Sequence, residues 1–312
     1  MKCEVLSKYK NKRSYYGLAN YNGIKVFFKK FDDKNEIIRE IKGHSLIKDY
    51  YNIPNIIDYY NNIVFYEYEE ELINNTLYDN LFINNGNIDY YKIILPIKKS
   101  LNNIKLLDED SLENTKFFKK RIYLLNKYIN DNSFIDYKFL LDELLENIMK
   151  NKKLYSIITQ GDPTLTNISA NGLYTDFENS GYNSIVGEIS IFVIALLTHG
   201  AYFYPKYNSE VYKIRPSFKV STSINKKNIE LLELYLNSIK EKLNDEIIKQ
   251  LNQYLKYYLC FRIITPIDIT KMSIKDRNLI FKMLKIFINV NDIDTLIKII
   301  KNWDLSFIKD NL

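Results

Sequence analysis

The chain has 312 residues, 46% hydrophobic and 26% charged, the composition of an ordinary globular protein with room for one large domain or two modest lobes. Its formal net charge of +6 is spread thinly, with Lys alternating against Asp and Glu, so nucleic-acid binding is not indicated. Two histidines (His44, His199) and two distant cysteines (Cys3, Cys260) exclude a histidine-centred triad or a zinc or redox motif, leaving carboxylates, amides, hydroxyls and lysines to do the chemistry.

The first part of the chain reads as strands: Glu4–Tyr9, Ser14–Tyr21 and Ile24–Phe31, with Asn22-Gly23 as a hairpin signal between the last two. Asp33, with Glu36 three residues on, resembles a capping box, and Ile37, Ile41, His44 and Ile47 follow at helical spacing to about Tyr50. Pro54 closes that helix, and Ile56–Tyr60 and Ile63–Tyr68 read as two more strands. Beyond the acidic run Glu69-Glu70-Glu71 the text turns helical, near 75–84, 88–107, 113–130 and 134–151, with Pro96 expected to kink the second segment. A basic cluster at Lys116, Lys119, Lys120 and Arg121 reads first as a solvated helix face, with a phosphate or acidic partner as the alternative. A strand-and-loop island occupies 154–185. Helices resume at 186–200, 226–243, 245–262, 274–290 and 292–303. No apolar leader follows Met1, and the longest apolar run, Ile191–Leu197, is too short to cross a bilayer. A reduced, cytoplasmic setting without a membrane partner is expected.

The island holds Gln160-Gly161-Asp162, then Asn167-Ile168, then Asp176-Phe177-Glu178. Asn171-Gly172 can turn a short hairpin between Ile168–Ala170 and Leu173–Thr175, which folds Asp176 back beside Asn167. Phosphoryl transfer needs such a set: one carboxylate to orient the acceptor hydroxyl and take its proton, and an amide and second carboxylate to hold Mg²⁺ on the phosphates. The separation of Asp162 from Asn167 equals that of the Asp and Asn in a kinase catalytic loop, and Asp176 takes the place of the metal-binding Asp that follows.

Gln-Gly-Asp-(x4)-Asn-Ile followed by Asp-Phe-Glu-Asn-Ser-Gly-Tyr-Asn resembles the aminoglycoside phosphotransferase and choline kinase superfamily, and the order of elements agrees along the whole chain. The resemblance implies an α+β, bilobal protein-kinase-like fold. A small antiparallel sheet with one helix over residues 1–68 would bind nucleotide. A large, mainly helical lobe over 69–312 would carry the catalytic loop and acceptor site. It implies a cytoplasmic kinase that moves the γ-phosphate of ATP or GTP to a small-molecule hydroxyl, with Asp162 catalytic and Asn167 and Asp176 on Mg²⁺. Gln160 departs from the family's histidine and alters the brace of that loop. Glu188 stands where the family has Asp, with a structural role expected.

The kinase pattern also asks for a strand lysine paired with a helical glutamate. In Lys25-Val26-Phe27-Phe28-Lys29-Lys30 the preferred lysine is Lys29, with Lys30 as the alternative. Glu40 lies on the inward stripe of its helix and is preferred over Glu36, which serves the cap. Ser14, in the loop over the phosphates, is a further candidate, as are Glu67 and Tyr68 at the hinge beside the base. The acceptor would meet Glu178, Tyr182, Tyr204 and Arg262; tyrosines suit a cationic or planar acceptor, a basic residue an anionic one. Two other classes compete: a protein kinase of the same fold, disfavoured by the lack of an Ala-Pro-Glu element, and a nucleotide-binding regulatory module without turnover.

Overall fold

The computed structural model describes residues 3–10, 14–70, 75–198 and 226–303. Five strands come first, β1 (Cys3–Lys10), β2 (Ser14–Tyr21), β3 (Ile24–Phe31), β4 (Ile56–Tyr60) and β5 (Ile63–Glu67), with helix α1 (Lys34–Ile47) after β3. They form one antiparallel sheet in the order β1-β2-β3-β5-β4. The β2–β3 turn follows from its two residues: Asn22 and Gly23 both take positive φ, 51° and 87°, as a two-residue hairpin with the sheet's twist requires.

Side chains alternate across this sheet. Val26 and Phe28 join Ala19, Tyr21 and Phe65 in a small apolar cluster on one face. Phe27, Lys29 and Phe31 occupy the other, where Phe31 enters the main core. Helix α1 starts where the sequence suggests, but with a simpler cap. Asp33 accepts from the Asn35 N–H at 2.8 Å, and Glu36 lies beside Arg39 (3.8 Å) rather than returning to the cap.

The remainder is mainly helical: α2 (Tyr90–Ser100), α3 (Glu113–Lys119), α4 (Ile122–Ile129), α5 (Lys138–Met149), α6 (Ile185–Thr198), α7 (Lys226–Lys240), α8 (Asp245–Ile264), α9 (Ile274–Phe287) and α10 (Ile293–Lys301). A second sheet, β6 (Lys105–Asp108), β7 (Lys153–Thr159) and β8 (Gly181–Ser184), lies within it. Together the parts make the bilobal α+β architecture of protein kinases. Three segments differ from the pattern read in the sequence. The helix expected over 88–107 ends at Ser100, because residues 105–108 pair antiparallel with 153–156 and the ladder overrides the helical spacing. The helix expected over 113–130 is two, broken at Lys120-Arg121. The helical turn within 75–84 closes on a wide π turn, Asp79–Ile83. Pro96 lies inside α2 without ending it. Among the described residues no helix is long and apolar enough to cross a membrane.

The two parts meet where α1 touches the island. Gly43, buried on α1, lies so close to the Phe177 peptide that a Cβ there would fall 2.0 Å from its carbonyl oxygen. Gly43→Ala is therefore expected to lower stability by about 1–3 kcal/mol, as overpacking does. In urea the midpoint should fall with an unchanged slope.

Candidate active site

The centre of the site is built from the backbone outward. After β7 the chain turns at Gly161, whose φ is 86° and whose Cα sits against the Asn179 carbonyl; a Cβ would lie 2.0 Å from that oxygen. Only glycine meets both demands. The loop then winds on itself, with the Thr164 N–H donating to the Asp162 carbonyl at 2.6 Å and the Asn167 N–H to that of Thr164 at 2.9 Å. Asn167 Nδ2 also donates to the Asp162 carbonyl, at 3.0 Å. The hairpin expected at Asn171-Gly172 is present in reduced form, as a single bridge between Ile168 and Tyr174. The Thr175 N–H donates to the Asn167 carbonyl at 2.9 Å, which brings the backbone of Asp176 alongside Asn167.

Asp176 has φ 65°, in the left-handed region that non-glycine residues seldom occupy. Gln160 holds it there. Its Nε2 donates to the carbonyls of Thr175 (2.8 Å) and Asp176 (2.6 Å), and its Oε1 accepts from the Asp162 N–H at 2.9 Å. One fully buried amide thus ties the Asp162 loop to the Asp176 loop, using its donor and its acceptor at once.

Lys29 joins these loops to the sheet. Its Nζ lies 3.1 Å from Glu40 Oε2 and is ion-paired with Asp176. Glu40, 1% exposed, also accepts from the Tyr66 hydroxyl at 2.7 Å and the Phe177 N–H at 3.2 Å. Burial alone would lower the Lys29 pKa. The carboxylates of Asp176 and Glu40, helped by Glu178, outweigh it and hold the ammonium above the usual lysine range. Burial pushes the Glu40 carboxyl up, with Lys29 opposing. Of the two candidate lysines, Lys29 makes this contact, and Lys30 is exposed. Glu40 makes it rather than Glu36.

Ser14 is buried opposite Phe31, on the Lys29 face of the sheet; residues 11–13 of the expected phosphate loop lie outside the described residues. Of the residues expected at the hinge, Glu67 turns its carboxylate to Asn55 Nδ2 (2.9 Å), and the Tyr68 ring carries the Lys25 ammonium 3.8 Å from its centroid. The expected acceptor residues divide. Glu178 acts on Lys29 through its charge. Tyr182 is turned to Lys105, 4.6 Å from its ring centroid, because the β7–β8 register sets its face. Tyr204 lies outside the described residues. Arg262, from the last turn of α8, places Nη2 3.5 Å from Asp162 Oδ1. Burial raises the Asp162 pKa; Arg262 opposes this, Asp176 adds to it, and Arg121 opposes it more weakly.

Two residues here were not singled out for the site from the sequence: Gly43 and, as a site residue, Arg121. Arg121 belonged to a visible basic cluster, but one indistinguishable from a solvated face in a lysine-rich chain.

Among the described residues no three His, Cys, Asp or Glu side chains group to cage a metal. The donors at hand are the Asp176 carboxylate and the Asn167 amide, whose Nδ2 is engaged and whose Oδ1 is thereby the oxygen left for a ligand. One carboxylate and one amide oxygen fit Mg²⁺, which keeps waters and takes phosphate oxygens for its remaining positions.

No family model matches the chain, and no curated protein matches it. Solved structures do. A choline kinase from Cryptosporidium parvum is 12% identical, with 96% of this chain and 90% of that one covered and a TM-score of 0.51. A Plasmodium vivax ethanolamine kinase is 14% identical over 91% and 81% of the two chains, TM-score 0.47. The gentamicin complex of APH(2")-IIa is 13% identical over 92% and 91%, TM-score 0.44. The fold is thus one that a choline kinase shares over nearly its whole length.

Glu188, near the start of α6, accepts from the Thr159 hydroxyl at 2.8 Å and is 3% exposed. Burial pushes its carboxyl up to about 8, against the Thr159 hydrogen bond. Unfolding releases a carboxyl of ordinary acidity, near 4.5, so between these values the folded state binds the extra proton. Stability should therefore fall as pH rises through that window, with a slope from this group of at most about 1.4 kcal/mol per pH unit. Glu188→Gln keeps the shape and removes the titration; denaturation at a series of pH values should give a flatter profile and a variant more stable than wild type above pH about 8.

Proposed function

We propose that this protein is a Mg²⁺-dependent kinase that transfers the γ-phosphate of ATP or GTP to a hydroxyl of a small molecule. The observation that carries this reading is the Lys29–Glu40–Asp176 cluster, joined through the Gln160 amide to the loop bearing Asp162 and Asn167. In this reading residues 1–68 bind the nucleotide, and 69–312 carry the catalytic loop and the acceptor.

Lys29, kept protonated by its carboxylates, meets the nucleotide phosphates, and Glu40 fixes its position. Asn167 Oδ1 and the Asp176 carboxylate hold Mg²⁺, which when bound neutralises charge on the phosphates. Asp162, 23% exposed, orients the acceptor hydroxyl and takes its proton as the oxygen attacks phosphorus in line. Its raised pKa makes it the better base. Backbone groups at Glu67 and Tyr68 face the base, and Ser14 donates to a phosphate.

Asp162→Asn is expected to lower phosphoryl transfer by at least 10³-fold, at the upper part of the range for a positioned acid–base group, while sparing Mg–nucleotide binding. Asp176→Asn is expected to weaken nucleotide binding only when Mg²⁺ is present, as titration calorimetry with and without the metal would read. Unchanged turnover in the first variant would remove Asp162 from the chemistry. Nucleotide binding by wild type without turnover on any hydroxyl acceptor would make the protein a regulatory binder.

A further inference from the structure

The side of the site away from Lys29 holds two arginines, and the donors of the buried one, Arg262, are incompletely used. Arg262 is 2% exposed, yet of its guanidinium only Nη2 has a protein partner, Asp162 Oδ1 at a long 3.5 Å. Nε and Nη1 are buried with no hydrogen-bond partner. A buried guanidinium with two idle nitrogens is a poor structural element, because each unmade bond leaves its donor desolvated for nothing. The same guanidinium stacks over the Phe117 ring, 5.1 Å from its centroid, and Arg121 lies 4.2 Å from that centroid. One ring from α3 thus gathers two arginines that the sequence holds far apart. Arg121 also donates to the Thr265 carbonyl at 3.3 Å, just beyond α8, so the pair is anchored at one place. Both arginines act on Asp162 through space. Both cations thus stand beside the group assigned to the acceptor hydroxyl, and the buried one, Arg262, has donors to spare.

We propose that the acceptor is an anion: a hydroxyl compound bearing a carboxylate or phosphate, received by Arg262 and Arg121 while Asp162 takes the hydroxyl. The inference rests on the phosphotransferase reading above. The anionic group accepts from the unpartnered Arg262 Nη1, which with the neighbouring Nη2 presents two parallel N–H groups to two oxygens of one carboxylate or phosphate. The hydroxyl oxygen then forms the new bond to the γ-phosphorus as the bond from that phosphorus to the β–γ bridging oxygen breaks. The proton passes to Asp162 and on to water, and the nucleoside diphosphate leaves. Arg262 rather than Lys29 performs this task because it reaches Asp162 from the helical lobe, on elements that carry none of the expected nucleotide contacts.

The test uses the full chain and acceptors that differ in charge: glycerol, glycerate, glycerol 3-phosphate, ethanolamine and choline. Nucleoside diphosphate release with Mg·ATP and Mg·GTP is measured alongside calorimetric binding of each compound and of Mg·nucleotide. Glycerate or glycerol 3-phosphate is expected to bind, or to react by kcat/KM, at least tenfold better than the uncharged and cationic compounds; which of the two wins separates carboxylate from phosphate. Arg262→Met should erase that preference and leave Mg·nucleotide binding as in wild type. Arg121→Gln, at a partly exposed position, should reduce it by a smaller factor and serves if the first variant does not fold. Equal use of neutral or cationic acceptors, or no binding of either anion to wild type, would overturn the proposal. So would an Arg262→Met defect confined to nucleotide binding, or one equal for all acceptors with kcat alone affected, which would make Arg262 a positioning residue for Asp162. Absent Mg·nucleotide binding in wild type would sink the kinase reading separately, and the anion titrations would still decide whether the arginines hold an anion.

Discussion

A carboxylate is stable in a protein interior only when a cation and hydrogen-bond donors are buried with it. Glu40 meets that condition through three parts of the chain: Lys29 on β3, Tyr66 on β5 and the Phe177 N–H in the island. Lys29 in turn needs Asp176 to offset its own desolvation. None of these groups is satisfied unless the sheet, α1 and the island are all in place. The cluster therefore sets the register of the small lobe on the large one, and Gly43 removes the side chain that would keep α1 from the Phe177 peptide.

The parts of the site that could be read in the sequence are those encoded locally. The Asp162-to-Asn167 spacing and the Asn171-Gly172 turn lie within one short stretch, and the turn's reduced hairpin still carries the chain back. Strand alternation put Lys29 and Lys30 on opposite faces, and the likeness of Val26-Phe27-Phe28-Lys29 to a kinase strand favoured Lys29; helical period separated Glu40 from Glu36 on the face of a single element. What could not be read depends on pairing between elements. Residues 105–108 carry helical spacing but complete a ladder with β7. Tyr182 lies next to the motif in sequence, and strand register turns it to Lys105. Arg121 and Arg262 meet only because α3 and α8 share Phe117, and no spacing announces that in a chain this rich in lysine.

Charge divides the cleft. On the sheet side two carboxylates, Glu40 and Asp176, face one lysine; on the helical side two arginines face Asp162. The first arrangement leaves carboxylate oxygens for a cation, and the second leaves guanidinium donors for an anion.

The Gln160 amide has a consequence of its own. An imidazole joining the same two loops would change its protonation near neutrality, and each change would swap a donor for an acceptor at one end of the bridge. A primary amide has no such transition. The bridge linking Asp162 to Asp176 therefore has no titration of its own. The amide is also a poor ligand for borderline metals such as Zn²⁺ and Cu²⁺, which imidazole attracts. The bridge thus excludes from its own position the ions that would compete for the loops it holds.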